Sequence, residues 1–139
     1  MVEEIIKILK SRNETISFME SCTGGFLANQ ITNIEGASDV LKVSLVTYSN
    51  EYKVKFGVGE NTINEKNVYS NFTSQEMAEK ASEFAKSEWG IGVTGRLGID
   101  GIITVYYTIY NNDGNTKEFY DYIINATRRY QRTTKAIRG

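Results

Sequence analysis

Ser21 and Lys53 are the two side chains of this chain best suited to act as a nucleophile and its base. Ser21 stands in Glu20-Ser21-Cys22-Thr23-Gly24-Gly25, where an apolar run (Ile16, Phe18, Met19) meets a helical pattern. A strand that feeds a helix through such a turn aims backbone N–H groups and a hydroxyl into a shared space. Lys53 closes a second stretch, Tyr48-Ser49-Asn50-Glu51-Tyr52-Lys53. The chain has no histidine, so a serine that needs a side-chain base looks to lysine.

Each of these residues also has an ordinary use. A serine at a helix start is more often a capping hydroxyl than a nucleophile. A lysine is usually a solvated charge, and acts as a base only where burial lowers its pKa toward neutrality. Cys22 is intrinsically the better nucleophile, but a small buried packing residue is the expected role. Thr23 is suited equally to capping the following helix and to touching a ligand. Gly24 and Gly25 serve close helix–strand packing, and would also let a substrate approach the N–H groups of that helix.

The elements that must position these residues are legible from periodicity. Val2, Ile5, Ile6 and Leu9 predict an amphipathic helix over 2–11. Residues 15–20 read as a strand, and 26–32 as a helix with Leu27, Ala28 and Ile31 inward. The β-branched run 43–48 predicts a buried strand, followed by a short helix or turn over 50–56 that stops at Gly57. Thr73 and Glu76 form a capping-box pattern opening a helix to about residue 87, with Met77, Ala81, Phe84 and Ala85 inward. Residues 91–95 are a further strand. Residues 102–110 and 116–124 flank Asn112-Asp113-Gly114 as a hairpin, and a basic helix over 126–138 follows. Its Arg128, Arg129, Arg132, Lys135 and Arg138 spread around the helix as a solvated face. Helices alternating with strands and ending in a hairpin predict an α/β fold, a three-layer α/β/α sandwich on a mixed sheet.

Composition narrows the function classes. A chain of 139 residues suits one domain, here spanning 1–139, with a single sizeable core. A net charge of −1 argues against a general nucleic-acid or membrane-surface binder. One cysteine excludes an intramolecular disulfide, and with no histidine it leaves the usual zinc sites without ligands, so no metal is expected. No apolar run approaches the roughly 20 residues of a membrane span. Glu3, Glu4 and Lys7 interrupt the N-terminal apolar residues, unlike a signal peptide. A cytoplasmic location is expected.

The two stretches in this order resemble the C-terminal domain of the CinA competence/damage-inducible family, known as a nicotinamide-nucleotide amidase. The matching residues are Glu20 to Gly25, Ile31-Thr32, Gly36-Ala37-Ser38, Val46 to Glu51 with Lys53, and Val93-Thr94-Gly95. The resemblance implies a Ser–Lys dyad of Ser21 and Lys53, with Tyr48 beside it among the catalytic residues. It implies substrate contacts from Thr23, Gly24, Gly25 and Asn50, and from a loop beginning at Thr94 and Gly95. The implied reaction converts nicotinamide mononucleotide to nicotinate mononucleotide and ammonia without a cofactor; self-association is also implied. The family pattern continues T-G-I-A-G-P, then K-P-V-G, then a later G-D-R. Here Gly95 runs through Arg96-Leu97-Gly98-Ile99-Asp100-Gly101 almost directly into the next strand, and Asn125-Ala126-Thr127 stands at the G-D-R position. Arg96 or Arg128 is the candidate replacement for the lost cations as a phosphate partner. A second reading is a divergent, non-catalytic member that binds a nucleotide or a protein partner.

Overall fold

A computed structural model describes residues 2–97 and 103–113. In chain order it runs α1 (Val2–Arg12), β1 (Ile16–Glu20), α2 (Phe26–Thr32), a 3-10 turn (Ala37–Asp39) and β2 (Leu41–Val46). It continues with α3 (Asn50–Lys55), α4 (Glu60–Lys66), α5 (Asn71–Ala85), β3 (Trp89–Leu97) and β4 (Ile103–Asn111).

The four strands form one mixed sheet in the order β2-β1-β3-β4. β1 pairs in parallel with both β2 and β3, and β3 pairs antiparallel with β4 from Trp89 opposite Asn111 to Leu97 opposite Ile103. The architecture is the expected three-layer α/β/α sandwich. The observed antiparallel hairpin is β3–β4; the second strand of the hairpin anticipated around Asn112-Asp113-Gly114 lies outside the described residues. So do the basic helix over 126–138 and Asn125 to Thr127.

Alternation along the strands sorts side chains onto two faces. Ile16 and Phe18 of β1 join Trp89, Ile91 and Val93 of β3 beneath α1 and α2, against Ile5, Ile6, Leu9, Leu27 and Ile31. Met19 faces the other way, with Val58, Met77 and Ala81 under α5. On that second face β3 presents Gly90 and Gly92. A methyl group at either would collide with the α5 backbone at Ala78 O or Ser74 O. Those two glycines let α5 lie directly on the sheet.

Several local expectations are corrected. α5 begins three residues earlier than the Thr73–Glu76 pattern implies, because Ser70 is its cap and its hydroxyl accepts the Thr73 N–H at 3.2 Å. Glu76 instead accepts the Gly59 N–H at 3.2 Å, which ties α4's start to α5. Phe84 is 59% exposed rather than inward, and packs edge-on against Phe56 with centroids 5.7 Å apart. Ala28 is half-buried. α4 has no buried residue and left no periodic signal to read. Among the described residues no helix is long and apolar enough to cross a membrane.

Candidate active site

The order β2-β1-β3 means the chain leaves β1 in one direction and returns across it to reach β3. α2 therefore packs on one face and α5 on the other. The crevice lies at the carboxyl ends of β1 and β3, where ligands bind in open α/β sheets. Ser21 follows the last residue of β1, and Thr94 and Gly95 lie near the end of β3. Tyr48, Asn50 and Lys53 arrive from the β2–α3 connection and from α3 itself.

These residues converge on one cavity of about 390 Å³, lined by Ser21, Cys22, Tyr48, Asn50, Lys53, Val68, Tyr69, Thr94, Gly95 and Arg96. Its volume falls within the range that holds a small-molecule ligand. Lys53 Nζ lies 2.9 Å from Ser21 Oγ and 2.6 Å from the Thr47 carbonyl oxygen. The lysine is 1% exposed, although it belongs to a six-residue helix on the surface. Ser49 caps that helix by accepting the Tyr52 N–H, which orients α3 so that Lys53 points inward. Burial pushes the Lys53 pKa from 10.5 down to about 8, with Cys22 acting in the opposite direction. An amine in that range has a lone pair available near neutral pH. With the Thr47 carbonyl taking one N–H, the lone pair of the neutral amine can accept the Ser21 proton.

The turn that carries Ser21 is held by Glu20, whose role the sequence reading missed. The Glu20 side chain is fully buried. It accepts hydrogen bonds from Thr23 Oγ1 (2.7 Å), Leu27 N (3.0 Å), Ala28 N (3.1 Å) and Ser44 Oγ (3.0 Å). A carboxylate set against the first N–H groups of α2 satisfies donors that a helix start otherwise leaves open. Three expectations change as a result. Ser21 does not cap α2: the cap position is Gly25, which makes no side-chain cap bond. The Thr23 hydroxyl neither caps the helix nor lines the cavity, because Glu20 holds it. The N–H groups at Leu27 and Ala28 are occupied by the protein's own carboxylate rather than open to a substrate.

Gly24 and Gly25 also stand outside the cavity lining. Their φ angles of 61° and 100° supply their reason: the turn from β1 into α2 passes through left-handed backbone that a β-carbon disfavours. Gly24 is exposed and has open space around it, so close packing is not its constraint. Of the remaining candidates, Tyr48 is 76% exposed at the cavity rim, and Asn50, Thr94, Gly95 and Arg96 all line it. Arg128 lies outside the described residues. Val68 and Tyr69 join the site without any signal in the local sequence, since only the packing of the α4–α5 connection brings them there.

A family profile described as the CinA C-terminal domain matches residues 1–134. The chain belongs to this family. A protein of Caldanaerobacter subterraneus named as competence-damage inducible is 45% identical over 102 residues, 73% of this chain and 25% of its own length. A CinA-like protein of Chloroherpeton thalassium is 45% identical over 100 residues, 71% of this chain and 24% of the relative. The CinA domain described here thus spans about a quarter of the length of these curated relatives. Among solved structures, the competence/damage inducible protein CihA from Agrobacterium tumefaciens superposes with a TM-score of 0.75 at 30% identity, covering 82% of this chain and 73% of that one. A competence or damage-inducible protein from Enterobacter asburiae shares the fold, with a TM-score of 0.68 at 23% identity, covering 100% of this chain and 99% of that one.

Proposed function

We propose that this CinA domain is an amidohydrolase that converts nicotinamide mononucleotide and water to nicotinate mononucleotide and ammonia. The observation that carries the reading is the 2.9 Å contact between Ser21 Oγ and Lys53 Nζ inside a ligand-sized cavity. The choice of substrate rests on the resemblance of the Glu20–Gly25 and Tyr48–Lys53 stretches to the family motifs.

Neutral Lys53 takes the Ser21 proton as Oγ attacks the carboxamide carbon. The attack gives a tetrahedral intermediate with a developing oxyanion. Collapse breaks the C–N bond, and the Lys53 ammonium returns its proton to the departing ammonia. Water then attacks the Ser21 ester with Lys53 again as base, releasing the carboxylic acid and restoring the hydroxyl. Arg96, which lines the cavity, is the proposed partner of the substrate phosphate. No step calls on a metal.

The test measures ammonia and nicotinate mononucleotide released by wild type, Ser21→Ala and Lys53→Ala. Both variants should lose turnover by comparable factors, because two groups acting as one unit are not additive when removed. Arg96→Ala should mainly raise KM. Wild-type activity retained in Ser21→Ala removes this serine as the nucleophile. An inactive wild type that still binds the nucleotide supports the non-catalytic reading instead.

A further inference from the structure

The dyad holds only the carboxamide, and nothing in the reaction just described accounts for Tyr69. This residue lines the cavity from the connection between α4 and α5 and keeps 42% of its surface exposed. Its backbone is held from several sides. The Asn67 carbonyl accepts the hydroxyls of Ser70 (2.7 Å) and Thr73 (2.8 Å), and Asn67 Oδ1 accepts the Tyr69 N–H at 3.0 Å. The Val68 carbonyl accepts Thr94 Oγ1 at 3.2 Å, which ties the connection to the end of β3. Asn67 itself sits at φ 80°, an uncommon conformation for a residue other than glycine. An aromatic residue thus lines the same cavity as Ser21, on backbone tied to the sheet.

We propose that Tyr69 is a specificity-determining residue that stacks on the aromatic ring of the substrate, so that the site selects an amide conjugated to a planar ring over an aliphatic amide. The inference rests on the amidase reading for the identity of the ring. The ring keeps its partner through the reaction, so the interaction is equal in ground and transition states and acts on KM rather than kcat.

Binding is measured by calorimetry in a Ser21→Ala background, where the substrate stays intact, with and without Tyr69→Ala or Tyr69→Phe. The probes are nicotinamide mononucleotide, ribose 5-phosphate (sugar and phosphate without the ring) and free nicotinamide. Tyr69→Ala should weaken nicotinamide mononucleotide about tenfold, as for loss of a base–aromatic stack, and leave ribose 5-phosphate within about twofold. Tyr69→Phe should restore affinity, because the ring rather than the hydroxyl is required. In the active enzyme Tyr69→Ala should raise KM by the same factor at unchanged kcat. The hydrogen bonds that hold the connection do not use the Tyr69 side chain, so the variant keeps its scaffold; an unchanged melting temperature checks this. Equal weakening of ribose 5-phosphate, or no weakening of the nucleotide, overturns the assignment. Tyr69-dependent binding without turnover in the wild type sinks the amidase reading and leaves the ring assignment standing. Failure to bind either ring-bearing probe sinks both.

Discussion

If Lys53 is the base, activity must follow the fraction of this amine that is neutral, and the structure sets where that fraction changes. Burial lowers its pKa from 10.5 to about 8. The neutral fraction then rises from about 3% at pH 6.5 to about 90% at pH 9. The kcat/KM of the wild type should climb about thirtyfold over that interval and level off above it. Starting at pH 6.5 keeps the profile above the second ionisation of a substrate phosphate, near pH 6. Lys53→Arg should stay inactive throughout, since a guanidinium does not deprotonate in this range. The same shift has a consequence for stability. A lysine whose pKa is lower in the folded than in the unfolded chain costs stability wherever both states are protonated, that is below about pH 8. The cost corresponds to roughly 3 kcal/mol and is relieved as pH rises from about 8 to 10.5, where the unfolded chain still holds the proton. Denaturant unfolding of wild type against Lys53→Met should therefore show the wild type gaining on the variant across that window. A rate profile flat from pH 6.5 to 9, or a stability difference that moves the opposite way, refutes the assignment of a buried, neutralisable base.

Other expected outcomes concern the scaffold and the chemistry. Glu20→Gln replaces an all-acceptor side chain with one that turns an NH₂ toward donors, and should cost about 2–4 kcal/mol in urea unfolding. A cost below about 0.5 kcal/mol would mean that the Glu20 bonds do not hold the turn. Gly92→Ala forces a methyl group into the α5 backbone, so it should lower the yield of folded protein or the melting temperature far more than Gly24→Ala, which meets only backbone strain. Equal effects would contradict the close α5–β3 contact. Amidase activity should survive dialysis against a strong chelator; loss on chelation with recovery on adding metal back would require a metal-bound water in place of the serine.

What the sequence alone determined was the chemistry in stock and the order of the parts. With no histidine, a serine after one strand and a lysine after the next were the candidates in stock, and the resemblance of their two stretches to the family motifs made them a pair. Apolar patterning was enough to place α1, β1, α2 and β2 to within a few residues, although β2, expected to be buried, has no buried residue. Local patterning failed where a contact came from elsewhere in the chain. Ser70 rather than Thr73 caps α5, because two nearby hydroxyls competed for one role and the Asn67 turn chose between them. Phe84 faces outward onto Phe56, a neighbour that periodicity cannot show. Glu20 took the helix N–H groups that the motif had left open for a ligand, because Ser44 and Thr23 completed a buried shell around its carboxylate. Tyr69 entered the cavity only when the α4–α5 connection was tied to Thr94. The lowered pKa of Lys53 is likewise tertiary: the residue type was written at position 53, but the desolvation that makes an amine a base arises only when α3 packs Lys53 against Ser21, 32 residues earlier in the chain.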